Sequence, residues 1–551
     1  MGQKTKITAN LAESRRYIEK RFCAEQNFDF VIRDFKVRFE DGYADGFLIF
    51  YDGMTDKTFI NRDIMRSLLQ SGVPEPLSAP RRETIFEKMT PFGPLTIDED
   101  FESAITDTAF GHCLIFVDGC DCAFAADVKD WGGRDVGQPI LESSLSGPQE
   151  AFNEVIMTNL ALIRKILKTP DLIAEKVDVG KESQTPCGIL YLRGVTNQKL
   201  VDEVRRRLCN IDVSYIFSTG DIDMLMEEDT FFPVTHTLKT ERPDRAAAML
   251  AEGKVVVIVQ GSPFALVFPT TATDLIEASE DHYVRVTEAN YMRLVRLMGM
   301  LLAVFLPGLF VAVLLYHHEL LPTDLLIAIE ASREPVPFPL VAELILMVLA
   351  FELIKEASVR VPSPVGSTLG IIGGLILGQA AVEANIVSPL LIIIVSIAGL
   401  GIFATPSVSL SRSLSLMQFF YIILGAAAGL LGIVCAFFVS TGILAASETY
   451  GVPFLSPISP KNGDSAWESI LIRPIWKRER RPRNLRTQDP ALQPHISRKW
   501  TRHTEDESDM PCDLKITNHI GFVTRRIDHE RKAKVFGQMG TWLYGFSCVF
   551  V

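Results

Sequence analysis

Between Arg360 and Glu448 the chain carries only two charged side chains, Glu383 and Arg412. The rest of that stretch is mostly Leu, Ile, Val, Ala, Gly and Phe. The hydrocarbon core of a bilayer is about 30 Å thick, so a spanning helix needs about 20 mostly apolar residues. Several such runs follow one another here. They predict an integral membrane protein with about half of its 551 residues ahead of the first span. A hydrophobic fraction of 48% with 22% charged residues then reads as an average over an acidic soluble region and a membrane region. The net charge of −12 argues against nucleic acid as a partner. The scattered cysteines form no zinc-type quartet; Cys120 and Cys122 are expected to flank a turn, and a reduced, cytoplasmic compartment fits them. Met1–Lys20 is polar and mixed in charge, with no secretory pattern.

The soluble region contains an internal repeat. Phe47–Ile60 and Gly188–Val201 both read as a strand, a glycine turn at Gly53 or Gly194, and a helix opened by Thr with Asp or Asn. Cys113–Ala123 and Val255–Ala265 both read as a buried strand, a tight turn at Gly119 or Gly261, and a second short strand. The offsets are 141 and 142 residues. Two segments at nearly one spacing predict two related α/β subdomains; chance recurrence of a common strand–glycine–strand pattern is the alternative. The expected organisation is a helical or disordered segment 1–26, subdomain 1 over 27–145, a linker helix with subdomain 2 over 146–290, a membrane domain of four to six helical segments over 291–447, and a partly disordered tail over 448–551. The fold class is thus an α/β region of two related subdomains, an all-α polytopic membrane domain and a short basic cytoplasmic tail.

The linker pattern places Phe152, Val155, Ile156, Leu160, Ile163 and Leu167 at helical spacing, with Pro148 suited to the helix start. Glu154, Asn159 and Arg164 fall on the other face, which composition alone reads as solvated. The first span is expected over Leu297–Tyr316, with Arg293 and Arg296 on its cytoplasmic side and a kink at Pro307-Gly308. Further runs cover Leu340–Leu353, Ser367–Val387, Leu390–Phe403 and Leu416–Leu444. Gly366, Gly370, Gly374 and Gly378 share one helical face, and Gly425 and Gly429 are spaced likewise; small residues let helix backbones approach in lipid, although a re-entrant segment also needs glycine. Five runs leave the tail outside, yet it opens with Arg473, Lys477, Arg478, Arg480, Arg481, Arg483 and Arg486, which favour the inside. An even number of crossings follows, with one run re-entrant or Leu321–Ala331 entering the membrane.

A carboxylate at membrane depth costs roughly 3 kcal/mol or more, so Glu343, Glu352 and Glu383 are candidates for an ion path or a subunit contact, or lie near span ends. Walker A, GxGxxG, GxSxG and zinc-ligand patterns are missing from the sequence. Neither an enzyme nor a cofactor is expected.

The order of features resembles the A subunit of the GerA-type germinant receptors of spore-forming bacteria. The resemblance runs from about Asp45 to Pro482. It rests on Gly147-Pro148, Phe152, Glu154, Asn159 and Arg164; on Arg242-Pro243-Asp244, Gly261 and Pro263; and on Glu280, Asp281 and Tyr283. It continues through Arg333–Pro339, Glu352, Gly378 and the basic tail. Ser146, Gln149 and His282 depart from the family pattern, and the residues beyond Arg486 are unlike it. The resemblance implies a multi-pass protein of the spore inner membrane with a cytoplasmic N-terminal domain. It implies a transporter-like B subunit and a lipoprotein C subunit as partners, assembly into a homo-oligomer, and nutrient-gated passage of cations. A secondary transporter or a non-conducting scaffold are the alternatives.

Overall fold

The computed structural model describes residues 5–494 apart from 40–41, 67, 70–84, 87–94, 131–136, 229–233, 361–377 and 461–470. Gly366, Gly370 and Gly374 lie outside the described residues, as does the chain beyond 494.

Two antiparallel sheets form the N-terminal region. The first contains β1 (Phe30–Arg38), β2 (Tyr43–Tyr51), β3 (Leu95–Asp98), β4 (Cys113–Val117) and β5 (Ala123–Ala126), in the order β1-β2-β4-β5-β3. The second contains β6 (Leu172–Val179), β7 (Thr185–Leu192), β8 (Leu238–Thr240), β9 (Val255–Val259) and β10 (Ala265–Phe268), in the order β6-β7-β9-β10-β8. The orders are the same position for position. The paired glycines also match in backbone: Gly53 and Gly194 have φ of +87° and +77°, and Gly119 and Gly261 have +83° and +85°. A Cβ disfavours that region, so glycine ends each strand at the same point in both copies. Asp56 and Asn197 then cap the helices that follow.

Strand side chains alternate between faces, and here both faces are apolar. Phe47 and Ile49 enter one core with Ile18 and Phe22 of α1 (Leu11–Phe22) and Phe101 of α2 (Phe101–Ala109), whereas Leu48 and Phe50 enter another. In the second sheet Val255, Val257 and Val259 face the core built with α4 (Gln198–Cys209), and Val256 and Ile258 face that built with α3 (Ile156–Ile166) and α6 (Pro243–Glu252); α5 (Thr219–Met226) packs on the α4 side. The helix α3 begins eight residues later than Pro148 suggests. The Asn159 side chain accepts from the Asn153 N–H (2.8 Å) and donates to its carbonyl (2.6 Å), and the Phe152 N–H bonds the Glu241 carbonyl. These bonds hold 148–155 in an irregular path.

After α7 (Ala272–Ile276), α8 (Val286–Tyr316) continues as one helix through Pro307. The short α9 (Thr323–Arg333), α10 (Leu340–Arg360), α11 (Pro389–Phe403) and α12 (Val408–Ala446) follow. Among the described residues, Val286–Tyr316 and Val408–Ala446 are long and apolar enough to cross a membrane, and Pro389–Phe403 is apolar but shorter.

The Leu416–Leu444 run is not one straight span. Ala428 and Gly429 leave the helical region, Gly429 with φ +61°. Tyr421 Oη lies 2.7 Å from Ser440 Oγ. On a straight helix 19 residues would separate them by about 28 Å. The segment is therefore a helical hairpin whose arms, 408–427 and 430–446, fold back on each other. Leu410 and Leu444, on opposite arms, both reach the core under the second sheet. Tyr316, at the far end of α8, donates its hydroxyl to the Ala426 carbonyl at 2.8 Å and lies 3.2 Å from that of Ala427. It thereby satisfies carbonyls that the break releases, as apolar surroundings require.

Glycines set the helix spacing. A Cβ on Gly308 would lie 2.8 Å from the Tyr421 carbonyl oxygen, and one on Gly425 would lie 2.7 Å from that of Gly308. A Cβ on Gly401 of α11 would lie 2.1 Å from the Gly299 oxygen. So α8 meets α11 and α12 backbone to backbone. Gly425 sits at such a crossing, Gly429 forms the turn, and a Cβ on Gly378 would meet Ile392 alone within 4 Å among the described residues.

The hairpin predicts a crosslink. Tyr421→Cys with Ser440→Cys, treated in membranes with a short bis-maleimide, should be bridged within one chain, read by mass spectrometry as a single reagent joining the two cysteine peptides after proteolysis. A straight helix, with the thiols about 28 Å apart, would carry one reagent on each thiol and no bridge.

Candidate functional site

The lobes of the head are joined through a buried cation. Arg164 on α3 is 2% exposed and Asp29 is fully buried. Arg164 Nε donates to Asp29 Oδ2 at 2.5 Å and Nη2 to Oδ1 at 2.8 Å. Its Nη1 donates to the Leu172 carbonyl, and its guanidinium stacks 4.0 Å from the Tyr51 ring centre. Asn27 accepts from Arg164 Nη2 and from the Ala174 N–H of the second sheet. The expectation of a solvated face is thus corrected for Asn159 and Arg164, both buried. A buried charge needs a partner and its remaining donors filled, and Asp29, 135 residues away, provides that. Of that face only Glu154 has an exposed side chain; its carbonyl accepts from the Gly261 N–H.

The structure brings Gly147, Pro148, Arg242, Asp244 and Tyr283 into one cluster. Arg242, fully buried, donates both Nε and Nη2 to the Asp244 carboxylate (3.0 and 2.9 Å), Nη1 to Ser144 Oγ, and Nη2 to the Pro148 carbonyl. Pro243 occupies the first turn of α6, where its missing N–H costs nothing. The Tyr283 hydroxyl donates to Asp244, and the Tyr283 ring covers Gly147, whose φ is +110°; a Cβ there would lie 2.6 Å from the ring. Glu280 accepts from the Leu145 N–H. Pro263 is half-buried in the β9–β10 turn, next in sequence to Ser262, whose hydroxyl bonds that of Thr219.

From this cluster a chain of ionic contacts runs to α8. Arg245 pairs with Glu142 (2.7 Å) and donates to the Asp274 and Glu277 carbonyls at the end of α7 (2.8 and 2.9 Å). Glu277 pairs with Arg293 (2.9 Å) and His282 (3.2 Å), and Asp281 pairs with Arg293 (3.4 Å) and Arg296. Sequence reasoning marked Arg293 and Arg296 only as flanking charges and missed Glu142, Arg245 and Glu277. Their spacing carries no motif. Burial alone pushes the Glu277 carboxyl up, but His282 and Arg293 hold it well below the usual carboxylate range.

In the helical region Glu343 is fully buried in the first turn of α10. It accepts from the Ser388 N–H at 2.6 Å, at the start of α11, and its other oxygen faces Arg333 at 3.6 Å. An acceptor at a helix N-terminus is favourable. Glu352 is half-buried, paired with Lys355 (2.9 Å) and accepting from Ser415 of α12 (2.8 Å). Glu383 is exposed just before a turn at Asn385. The three carboxylates are not gathered at one point. Among the described residues no group of His, Cys, Asp or Glu is placed to hold a metal ion.

Two outcomes test the two junctions. Asp29→Ala strands Arg164 and should cost about 3–5 kcal/mol, read by chemical unfolding; Asp29→Ala with Arg164→Met should cost less than Asp29→Ala alone. Because the Glu277 carboxyl titrates lower when folded, its contribution is present above its ordinary value of 4.5 and is lost as pH falls below that. Glu277→Gln should lower the melting temperature at pH 7 and flatten its decline below about pH 4.5.

Residues 16–484 match the model of the family described as Bacillus/Clostridium GerA spore germination protein. Spore germination protein KA of Bacillus subtilis (strain 168) is 32% identical over 487 residues, 88% of each chain. Spore germination protein GerLA of Bacillus cereus is 32% identical over 494 residues, 90% of this chain and 99% of the relative. The uncharacterized membrane protein YfkQ of Bacillus subtilis (strain 168) is 31% identical over 481 residues, 87% of this chain and 92% of the relative. The crystal structure of the N-terminal domain of the A subunit of the Bacillus megaterium spore germinant receptor GerK3 is 27% identical, covering 48% of this chain and 96% of that one with a TM-score of 0.37. With both the two-lobed head and the helical region inside the matched residues, the chain belongs to the GerA spore germination protein family.

Proposed function

We infer that this chain is the A subunit of a nutrient-germinant receptor, embedded in the spore inner membrane with its head in the cytoplasm. The reading extends to assembly with further copies, with a transporter-like B subunit and with a lipoprotein C subunit. The assembled helices pass cations when nutrient binds. The observation that carries this reading is the continuity of the family match from the head through the last apolar helix. The surface of the helices supports it. Leu301, Leu349, Leu400, Leu416, Leu431 and Phe438 stand exposed, which suits lipid or other apolar helices and not water. The ion pairs at the base of α8 supply a rigid link by which a change in one part biases the other. In this reading Glu352, half-buried between α10 and α12, faces the cation path, and Glu343 holds α10 to α11.

Reconstitution into vesicles with its B and C partners and recording of cation flux tests the reading. Nutrient should raise the flux, and Glu352→Gln should cut the nutrient-dependent part at least several-fold with the assembly intact by size-exclusion chromatography. Glu383→Gln should leave it nearly unchanged. Uptake of labelled nutrient by this chain alone would replace the channel by a carrier. Intact assembly without ion passage would leave a scaffold.

A further inference from the structure

A cavity of about 400 Å³ opens where the head, the base of α8 and the tail meet. The tail lines it with Arg473, Lys477, Arg478, Arg480, Arg481 and Arg483. The head and α8 add Lys254 and Arg293. Four acidic residues also line it, so the lining carries a formal surplus of four positive charges, one of which, Arg481, is paired with Asp489 outside the lining at 3.0 Å. Two of those acids are committed: Asp274 pairs with Lys254 at 2.6 Å, and Glu277 with Arg293. Burial pushes the carboxyl of a third, Glu252, up from its ordinary value, which favours its neutral form.

These cations are not on a loose strand. Arg481 Nε donates to the Ala251 carbonyl at 2.8 Å, the Gln488 N–H bonds the Val195 carbonyl, and Asn290 of α8 bonds both the N–H and the carbonyl of Ile472. The tail is strapped to the head at both sides of the cavity, so its charges are held close together before any ligand arrives. Like charges so held repel one another, and an anion relieves that repulsion. The guanidinium fork suits the oxygens of a phosphate group.

The cavity also has a level. Arg293 lines it, and Leu297, where the apolar face of α8 begins, is about 6 Å further along the helix. Basic clusters immediately beside a spanning helix attract anionic headgroups by about 1 kcal/mol per Lys or Arg, which is roughly fivefold in affinity.

We propose that this cavity is a phosphate-binding site, taking the phosphate of an anionic lipid headgroup or a soluble phosphate. The lipid source rests on the membrane placement given above; the soluble source does not. The experiment uses the full chain in two settings. In nanodiscs of phosphatidylcholine with or without phosphatidylglycerol, lipid retained through detergent exchange is counted by mass spectrometry. In detergent, inorganic phosphate and pyrophosphate are titrated against the melting temperature. Retention of phosphatidylglycerol over phosphatidylcholine by several-fold supports the lipid headgroup. A phosphate- or pyrophosphate-dependent rise without lipid preference supports a soluble ligand. In either case Lys477→Gln with Arg478→Gln should weaken binding roughly 25-fold, two fivefold steps. Lys199→Gln, exposed on α4, should leave it unchanged. A milder variant, Lys477→Gln alone, should cost about fivefold and guards against a fold defect, its unliganded melting temperature matching the parent. No preference in either setting, or equal binding by the variants, overturns the site.

Discussion

Each sheet of the head is complete on both faces, so neither needs the other to bury its apolar strands. The α3 helix and the charge it carries join the two lobes, beside the Arg21–Asp171 pair and the bond from the Phe28 N–H to the Ala174 carbonyl. Arg164 gives its donors to Asp29, Asn27 and Leu172 and stacks on Tyr51, with almost no water in reach. Apolar packing tolerates sliding; a buried guanidinium does not, because each lost bond leaves a donor unpaired at about 1–3 kcal/mol. Leu160 and Ile163 of the same helix enter the second sheet's core, and Ala161 enters the first's. These bonds and contacts together oppose sliding of one lobe on the other.

The same logic continues toward the helices. Arg242, Arg245, Arg293 and Arg296 each span two elements that packing alone would leave free to shift. Arg242 takes Asp244 from its own helix and reaches the linker through Ser144 and the Pro148 carbonyl, Arg245 takes Glu142 from the linker, and Arg293 and Arg296 take Glu277 and Asp281 from the turn before α8. The linker loop thus touches α8 through two arginines and two carboxylates. Apolar contacts take over beyond Leu297, where glycine rather than charge decides how near the helices come.

What could be read from sequence was local. The repeat was legible because a strand stop needs glycine at positive φ and a helix start needs a short polar cap, and both signals lie within a few residues of each other. The cluster of Gly147, Arg242, Asp244 and Tyr283 could be named as residues that matter, but not as neighbours, since 136 positions separate Gly147 from Tyr283. Arg164 was placed on a wet face because its partner, Asp29, lies in the other lobe. The hairpin in α12 was illegible for a different reason. A turn in water usually carries Asn, Asp or Pro beside its glycine. Ala428-Gly429 offers the glycine alone, which helix packing explains equally well, and its freed carbonyls are met from outside by the Tyr316 hydroxyl of α8.

The hairpin also decides where the two ends of the helical region come to lie. His236 of the head bonds Ser447, directly after α12, and Asn290 of α8 bonds Ile472 of the tail. Both ends of the helical region therefore lie against the head. A path that leaves the head at α8 and returns to it after α12 crosses any intervening layer an even number of times, whatever the residues between do. Read as a single span, Leu416–Leu444 would have put the arginines of the tail on the far side from Arg293 and Arg296. Folded back at Gly429, it leaves the arginines of the tail at the same end of the helices as Arg293 and Arg296.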